Sequence, residues 1–204
     1  VYLIIGIILG GRFGYVFFYD LNYFFKNPIE IFLIWNGGMS FHGGLIGVIV
    51  SSYLFSKNKK FNFFKLTDML ACASPIGLFF GRIANFINGE LYGKATNVPW
   101  SVIFPKIDNI SRHPSQIYEA LLEGIILFIL INYLSIKKKF IFKNGFTSSF
   151  FLIFYGIFRM ISEIYREPDA HLGYFFNVLS MGSILSMSMI AFGFTIIFFL
   201  KNEK

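Results

Sequence analysis

The chain has 204 residues, 55% of them hydrophobic, 21% aromatic and only 14% charged, with a formal net charge of +7. A soluble domain carries about 25% charged residues, so this composition excludes an ordinary water-soluble globule and points to an integral membrane protein. The positive charge lies in short lysine runs between apolar stretches, which reads as membrane topology rather than nucleic-acid binding. The one cysteine, Cys72, offers no disulfide framework, CxxC pair or metal spacing and reads as a small apolar residue.

In chain order, the opening VYLIIGIILG has neither Met nor a charged n-region, so it is no signal peptide. Its apolar run starts at Val1, and we expect the natural N-terminus to lie upstream. A helix crosses hydrocarbon in about 20 residues, and six stretches suit this: 1–19, 45–55 with flanks, 66–87, 117–136, 146–165 and 178–200. The expected fold is therefore all-α, a polytopic membrane helix bundle of about six transmembrane helices forming one domain, 1–204. The lysine runs 57–65 (KNKKFNFFK), 137–143 (KKKFIFK) and 201–204 (KNEK) fall on one side of a six-span alternation. The positive-inside rule makes that side cytoplasmic, so loops 20–41, 88–116 and 166–176 face outward. The longest, 88–116, is expected to form a small extracytoplasmic cap.

Polar residues inside such spans are costly, about 2.5–3.5 kcal/mol for a central Arg or Asp, and so carry information. Arg12, Arg82 and Arg159 lie toward the outer ends of their spans. Arg12 suits snorkelling or a structural pair as well as function. In GRIANFINGELYG (81–93), Asn85 and Gly89 follow Arg82 at three and seven, one helix face, with Glu90 and Gly93 where the helix should end. A guanidinium beside an amide and exposed backbone suits a phosphate; an Arg82–Glu90 bridge is the structural alternative. Tyr155, Arg159 and Glu163 stack four apart on another span, and that face must look inward or into a wet cavity. Glu119 and Glu123, one turn apart, read as counter-charges. His113 before Pro114 and Asp68 after Thr67 read as helix N-caps. In GGMSFHGGLIG (37–47), glycine pairs flank His42, a residue suited to proton transfer or to a satisfied structural role. An anion transporter would also use intramembrane arginines but should show paired repeats, and the echo between GGRFGYVF and FGRIANFI is faint.

Together, GRIANFINGELYG, GGMSFHGGLIG, HPSQIYEA and YGIFRMISEIYREPDAHLGY resemble, in order, the hallmark stretches of the prolipoprotein diacylglyceryl transferases of bacterial membranes. The resemblance covers essentially the whole chain. It implies seven helices, the first of them absent here with its functional tyrosine. It also implies transfer of diacylglycerol from phosphatidylglycerol to the lipobox cysteine of a prolipoprotein, with glycerol phosphate released, at the outer side of the bacterial plasma membrane. By the same resemblance Arg82 and Arg159 bind the lipid phosphate, and His42, Asn85, Glu90, Gly93, Tyr155 and Glu163 take the matching functional positions. No cofactor or metal is expected, and the partners are the two substrates and the bilayer, not nucleic acid.

Overall fold

The computed structural model describes residues 1–18, 21–167, 174–175 and 179–202, which fall into two compact units, Val1–Leu66 and Thr67–Lys204. In the first, α1 (Tyr2–Phe18) packs along α3 (Phe41–Lys59), joined through the short helix α2 (Leu21–Lys26) and two 3-10 turns, Pro28–Phe32 and Ile34–Asn36. Gly6, Gly10 and Gly14 recur every four residues on α1 and face α3. A Cβ on Gly14 would sit 2.6 Å from Gly43 Cα, and one on Gly10 2.8 Å from Gly47 Cα. The two backbones touch, the small-residue packing that replaces hydrophobic driving force between membrane helices.

The stretch 37–47 is thus two structures. Gly37 and Gly38 turn the chain at φ +83° and +79°, and Ser40 then caps α3, its side chain accepting from Gly43 N at 3.2 Å. The helix starts earlier than the expected 45–55. Arg12, on α1, is buried and structural: Nη2 donates to Glu30 O at 2.5 Å, Nε to Ile31 O at 3.0 Å and Nη1 to Gly38 O at 3.1 Å and to Gly37 O. One guanidinium satisfies four carbonyls, two in the first 3-10 turn and two just after the second, which removes the need for it to snorkel.

α4 (Phe63–Asn88) crosses the division between the units, and the rest of the second unit follows from it. A two-stranded antiparallel pair, β1 (Val102–Ile103) with β2 (Ser111–Arg112), lies in the loop after α4. Next comes a continuous rod, Ser115–Ile136: α5 (Ser115–Glu119), a π-helical stretch Ala120–Ile126, and α6 (Leu127–Ile136). After a 3-10 turn, Phe140–Phe142, come α7 (Phe146–Glu163), the pair β3 (Tyr174–Phe175) and β4 (Leu179–Ser180), and α8 (Met181–Asn202), which packs on α7. The chain is mostly helical, as expected. Among the described residues three helices, Phe63–Asn88, Ser115–Ile136 and Gly182–Asn202, are long and apolar enough to cross a membrane. Polarity is inverted relative to a soluble core. Ser115, Gln116, Glu119, Glu123, Thr147, Ser149 and Ser162 are fully buried, while Phe192, Phe194, Phe198 and Phe199 of α8 are exposed.

Asp68 does not cap its own helix, because α4 already begins at Phe63. It caps α7 instead. Its carboxylate accepts from Gly145 N at 2.7 Å, Ser148 N at 2.7 Å and Ser148 Oγ at 2.8 Å, satisfying donors that the helix start leaves open. We expect Asp68→Ala to destabilise the protein by about 2 kcal/mol and Asp68→Asn by less, measured by thermal unfolding in detergent micelles.

Candidate active site

The end of α4 shapes the first part of the site. Gly89, at φ +75°, closes the helix as a Schellman turn: Glu90 N donates to Asn85 O at 2.9 Å and Gly89 N to Phe86 O at 3.2 Å. The same turn brings two side chains together, and Asn85 Nδ2 donates to Glu90 Oε2 at 3.0 Å. The first turn of α5 grips the chain just beyond. Gln116 Nε2 donates to Glu90 O at 2.7 Å and Ser115 Oγ to Leu91 O at 3.1 Å. Gly93 then passes where no side chain fits: its N donates to His113 O at 3.1 Å, and a Cβ would meet His113 Cβ at 2.7 Å and Tyr165 O at 2.8 Å.

Arg82, one turn before Asn85, turns away from Glu90 and toward the rod. Its Nε lies 3.0 Å from Glu119 Oε2, and its Nη2 donates to Glu123 Oε2 at 3.0 Å. Arg159, on α7, reaches the same two carboxylates: Nη1 donates to Glu119 Oε1 and lies 3.7 Å from Glu123 Oε1, while Nη2 pairs with Glu163 Oε2 at 2.7 Å. Arg166 Nη1 lies 3.6 Å from Glu119 Oε1. Three guanidinium groups and three carboxylates thus balance formally, with Glu119 and Glu123 completely buried between Arg82 and Arg159. Tyr155, one turn before Arg159, stacks on Phe151 at 5.8 Å and interacts electrostatically with both arginines.

The π-helical stretch begins immediately after Glu119 and contains Glu123. Such wide turns are rare and cluster at functional sites; here one holds both carboxylates toward α4 and α7. Pairing does not exhaust the arginines. Arg82 Nη1 and Arg159 Nε donate to no described residue, so each retains a charged N–H for a further acceptor. The arrangement can hold an anion at fixed positive groups in a site of low dielectric, where such groups act most strongly. Among the described residues no three His, Cys, Asp or Glu side chains gather closely enough to hold a metal ion.

Of the residues expected from sequence, the structure brings Arg82, Tyr155, Arg159 and Glu163 into one cluster through Glu119 and Glu123, and places Asn85, Glu90 and Gly93 on the turn that follows Arg82. The Arg82–Glu90 bridge does not form, because Glu90 bonds Asn85. His42 lies in the first turn of α3 in the other unit, and its side chain is outside the described residues, as are positions 168–173 of the stretch 155–174. His113 is not an N-cap; Pro114 holds that place, and His113 Nδ1 meets Tyr118 Oη at 3.2 Å. The sequence reading of Glu119 and Glu123 as counter-charges is met by their pairing with Arg82 and Arg159, while Arg166 was left outside the site.

Beyond the cluster, Arg112 straps the loop to the end of α7. It donates from Nη2 to Asp108 Oδ2 at 2.7 Å and from Nη1 to Gly93 O at 3.1 Å, pairs with Glu167 at 3.5 Å and stacks over Tyr92 at 4.7 Å. The hydrogen bond from Arg112 holds the Asp108 carboxyl below its usual range.

The family model for prolipoprotein diacylglyceryl transferase matches residues 1–199. The curated phosphatidylglycerol–prolipoprotein diacylglyceryl transferase of Rickettsia bellii (strain OSU 85-389) is 55% identical over 202 residues, 99% of this chain and 76% of that protein. That of Rickettsia felis is 53% identical over 192 residues, 94% of this chain and 74% of that protein. That of Rickettsia canadensis is 50% identical over 196 residues, 96% and 76% respectively.

Two outcomes follow from the geometry. Removing one partner of a buried ion pair costs about 3–5 kcal/mol, so Glu119→Ala should destabilise in that range, and more than Glu163→Ala, since Glu119 serves three arginines; unfolding in micelles measures both. Asp108 titrates lower folded than unfolded, so its contribution is complete above about pH 3.9 and is lost as pH falls through the lower folded value. An NMR titration of Asp108 should therefore move up toward the ordinary carboxyl range in Arg112→Ala.

Proposed function

This chain belongs to the prolipoprotein diacylglyceryl transferase family and is a transferase, and on that premise we propose that it moves the diacylglyceryl group of phosphatidylglycerol onto the lipobox cysteine thiol of prolipoproteins. The acceptor sulfur attacks the glyceryl carbon that bears the phosphate ester. A C–S bond forms, the C–O bond breaks with its electron pair passing to the phosphate oxygen, and glycerol phosphate leaves. The thiol proton passes to a base.

Negative charge grows on the leaving phosphate, so fixed cations aimed at it lower the barrier. Arg82 and Arg159 are the residues we assign to it, through the N–H groups that Glu119, Glu123 and Glu163 leave open. The carboxylates keep both guanidinium planes in place before substrate arrives, so no reorganisation accompanies the reaction. Asn85, Glu90 and Gly93 line the adjoining turn, where the glycerol headgroup would be recognised by hydrogen bonds, and Tyr155 flanks the phosphate. His42 is assigned the thiol proton: a free thiol has a pKa of about 8.5, and imidazole is the side chain best matched to accepting that proton near neutrality. In this reading six helices cross the bacterial plasma membrane, 88–116 caps the outer side and the reaction faces outward.

The observation that carries the reading is the meeting of two arginines from separate helices on one fully buried carboxylate pair. A scaffold has no need of it, and an anion carrier would release its ligand unchanged. The test is a labelled lipobox peptide incubated with the protein and phosphatidylglycerol vesicles. A lipid-dependent mass increase of the peptide with release of glycerol phosphate is expected, and anion uptake without peptide modification would contradict it. Arg82→Ala should lower the transfer rate about 10²–10³-fold and His42→Gln by less.

A further inference from the structure

The second unit contains a cavity of about 530 Å³ beside the charged cluster, walled by Trp100, His113, Tyr118, Leu122, Ser162 and Tyr165. Its size is that of a site for one small ligand or one long chain. Three polar atoms of its aromatic wall are engaged with one another, and the surface facing the cavity is almost wholly apolar. Trp100 Nε1 donates to Tyr118 Oη at 2.7 Å, and His113 Nδ1 meets the same oxygen at 3.2 Å. The His113, Tyr118 and Tyr165 rings pack edge to face with centroids 5.2–5.9 Å apart. What the wall presents inward is therefore ring face and aliphatic carbon, a surface that selects alkyl groups over hydrogen-bonding ones.

Two features identify the occupant. Tyr118, Leu122 and Ser162 each precede directly a carboxylate of the cluster, Glu119, Glu123 and Glu163. The cavity and the anion-binding pole thus share the same turns of the rod and of α7, and one molecule with an anionic head and an alkyl tail could occupy both. Leu121 and Ile126, which also line the cavity, are exposed on the rod, so the cavity lining is continuous with that helix's exposed apolar surface.

From this we infer that the cavity holds an acyl chain of the phospholipid donor and sets the preference of the enzyme for chain length. The inference rests on the reaction proposed above for the same site. A chain moving from bilayer hydrocarbon into the cavity gains packing contacts rather than burial from water, so affinity should be greatest for the chain that fills the cavity, with little effect on the chemical step.

Two experiments separate this from its alternatives. In the wild-type protein in vesicles, phosphatidylglycerol carrying a diazirine near the end of one acyl chain should crosslink to Trp100, Tyr118 or Tyr165, mapped by mass spectrometry. Crosslinks confined to other helices would overturn the inference, as would equal labelling of these rings by a photoreactive free fatty acid not displaced by the phospholipid. This readout does not depend on transfer, so it stands or falls apart from the proposed reaction. In kinetics, Leu122→Trp, which fills the cavity, should shrink the ratio of KM values between dioctanoyl and dioleoyl phosphatidylglycerol about tenfold. A rise in KM for the acceptor peptide with the lipid ratio unmoved would mean that the cavity holds an apolar peptide side chain instead. If Leu122→Trp does not fold, Leu122→Ala, which enlarges the cavity, should move the preference toward longer chains, and an unmoved ratio there would equally contradict the inference.

Discussion

Six ionisable side chains in an apolar helical protein can stay charged only if they pair with one another, and that constraint organises the second unit. Arg82, Arg159 and Arg166 face Glu119, Glu123 and Glu163, and the two fully buried carboxylates lie where α4 and α7 both reach the central rod. Leaving any one unpartnered in low dielectric costs several kcal/mol. The helices pack in an arrangement that matches the charges. The π-helical stretch of the rod, Asp68 capping α7 from α4, and the contact of Gly182 with Glu163 all serve that arrangement.

The same pairing prepares a site. Carboxylates hold both guanidinium groups rigid while leaving an N–H on each uncommitted, and the Schellman turn at Gly89 sets Asn85 and Glu90 beside them. Gly93 lets the following chain lie against His113 and Tyr165, and Arg112 ties the loop to the end of α7. Charged and polar groups gather toward one end of these helices and an apolar cavity is lined by their sequence neighbours, the pairing that the proposed phospholipid donor would need.

Much of this was legible because membrane composition makes polar residues conspicuous. Arg82 and Arg159 stood out as charges in apolar spans, and the helical spacing of Asn85, Tyr155 and Glu163 put them on informative faces. Helix positions followed from apolar run length. Beyond the counter-charge role of Glu119 and Glu123, pairing across the chain could not be read. Asp68 looked like a local cap because sequence shows neighbours along the chain, while its partners lie 77 and 80 positions away. The alternative of an Arg82–Glu90 bridge arose for the same reason. The π-helical stretch Ala120–Ile126 has no propensity signal in the sequence. The four-residue recurrence of Gly6, Gly10 and Gly14 was readable in principle as a helix-packing face, and the charged motifs drew attention away from it.

The central claim is that Arg82 and Arg159 together hold the phosphate of the lipid donor. Phosphorus–nitrogen dipolar dephasing in bilayers measures this directly, with guanidinium ¹⁵N label in the protein and ³¹P in phosphatidylglycerol. The account predicts close ³¹P–¹⁵N coupling that weakens in Arg82→Lys and again in Arg159→Lys. Coupling absent from the wild-type protein, or unchanged in both variants, would contradict it.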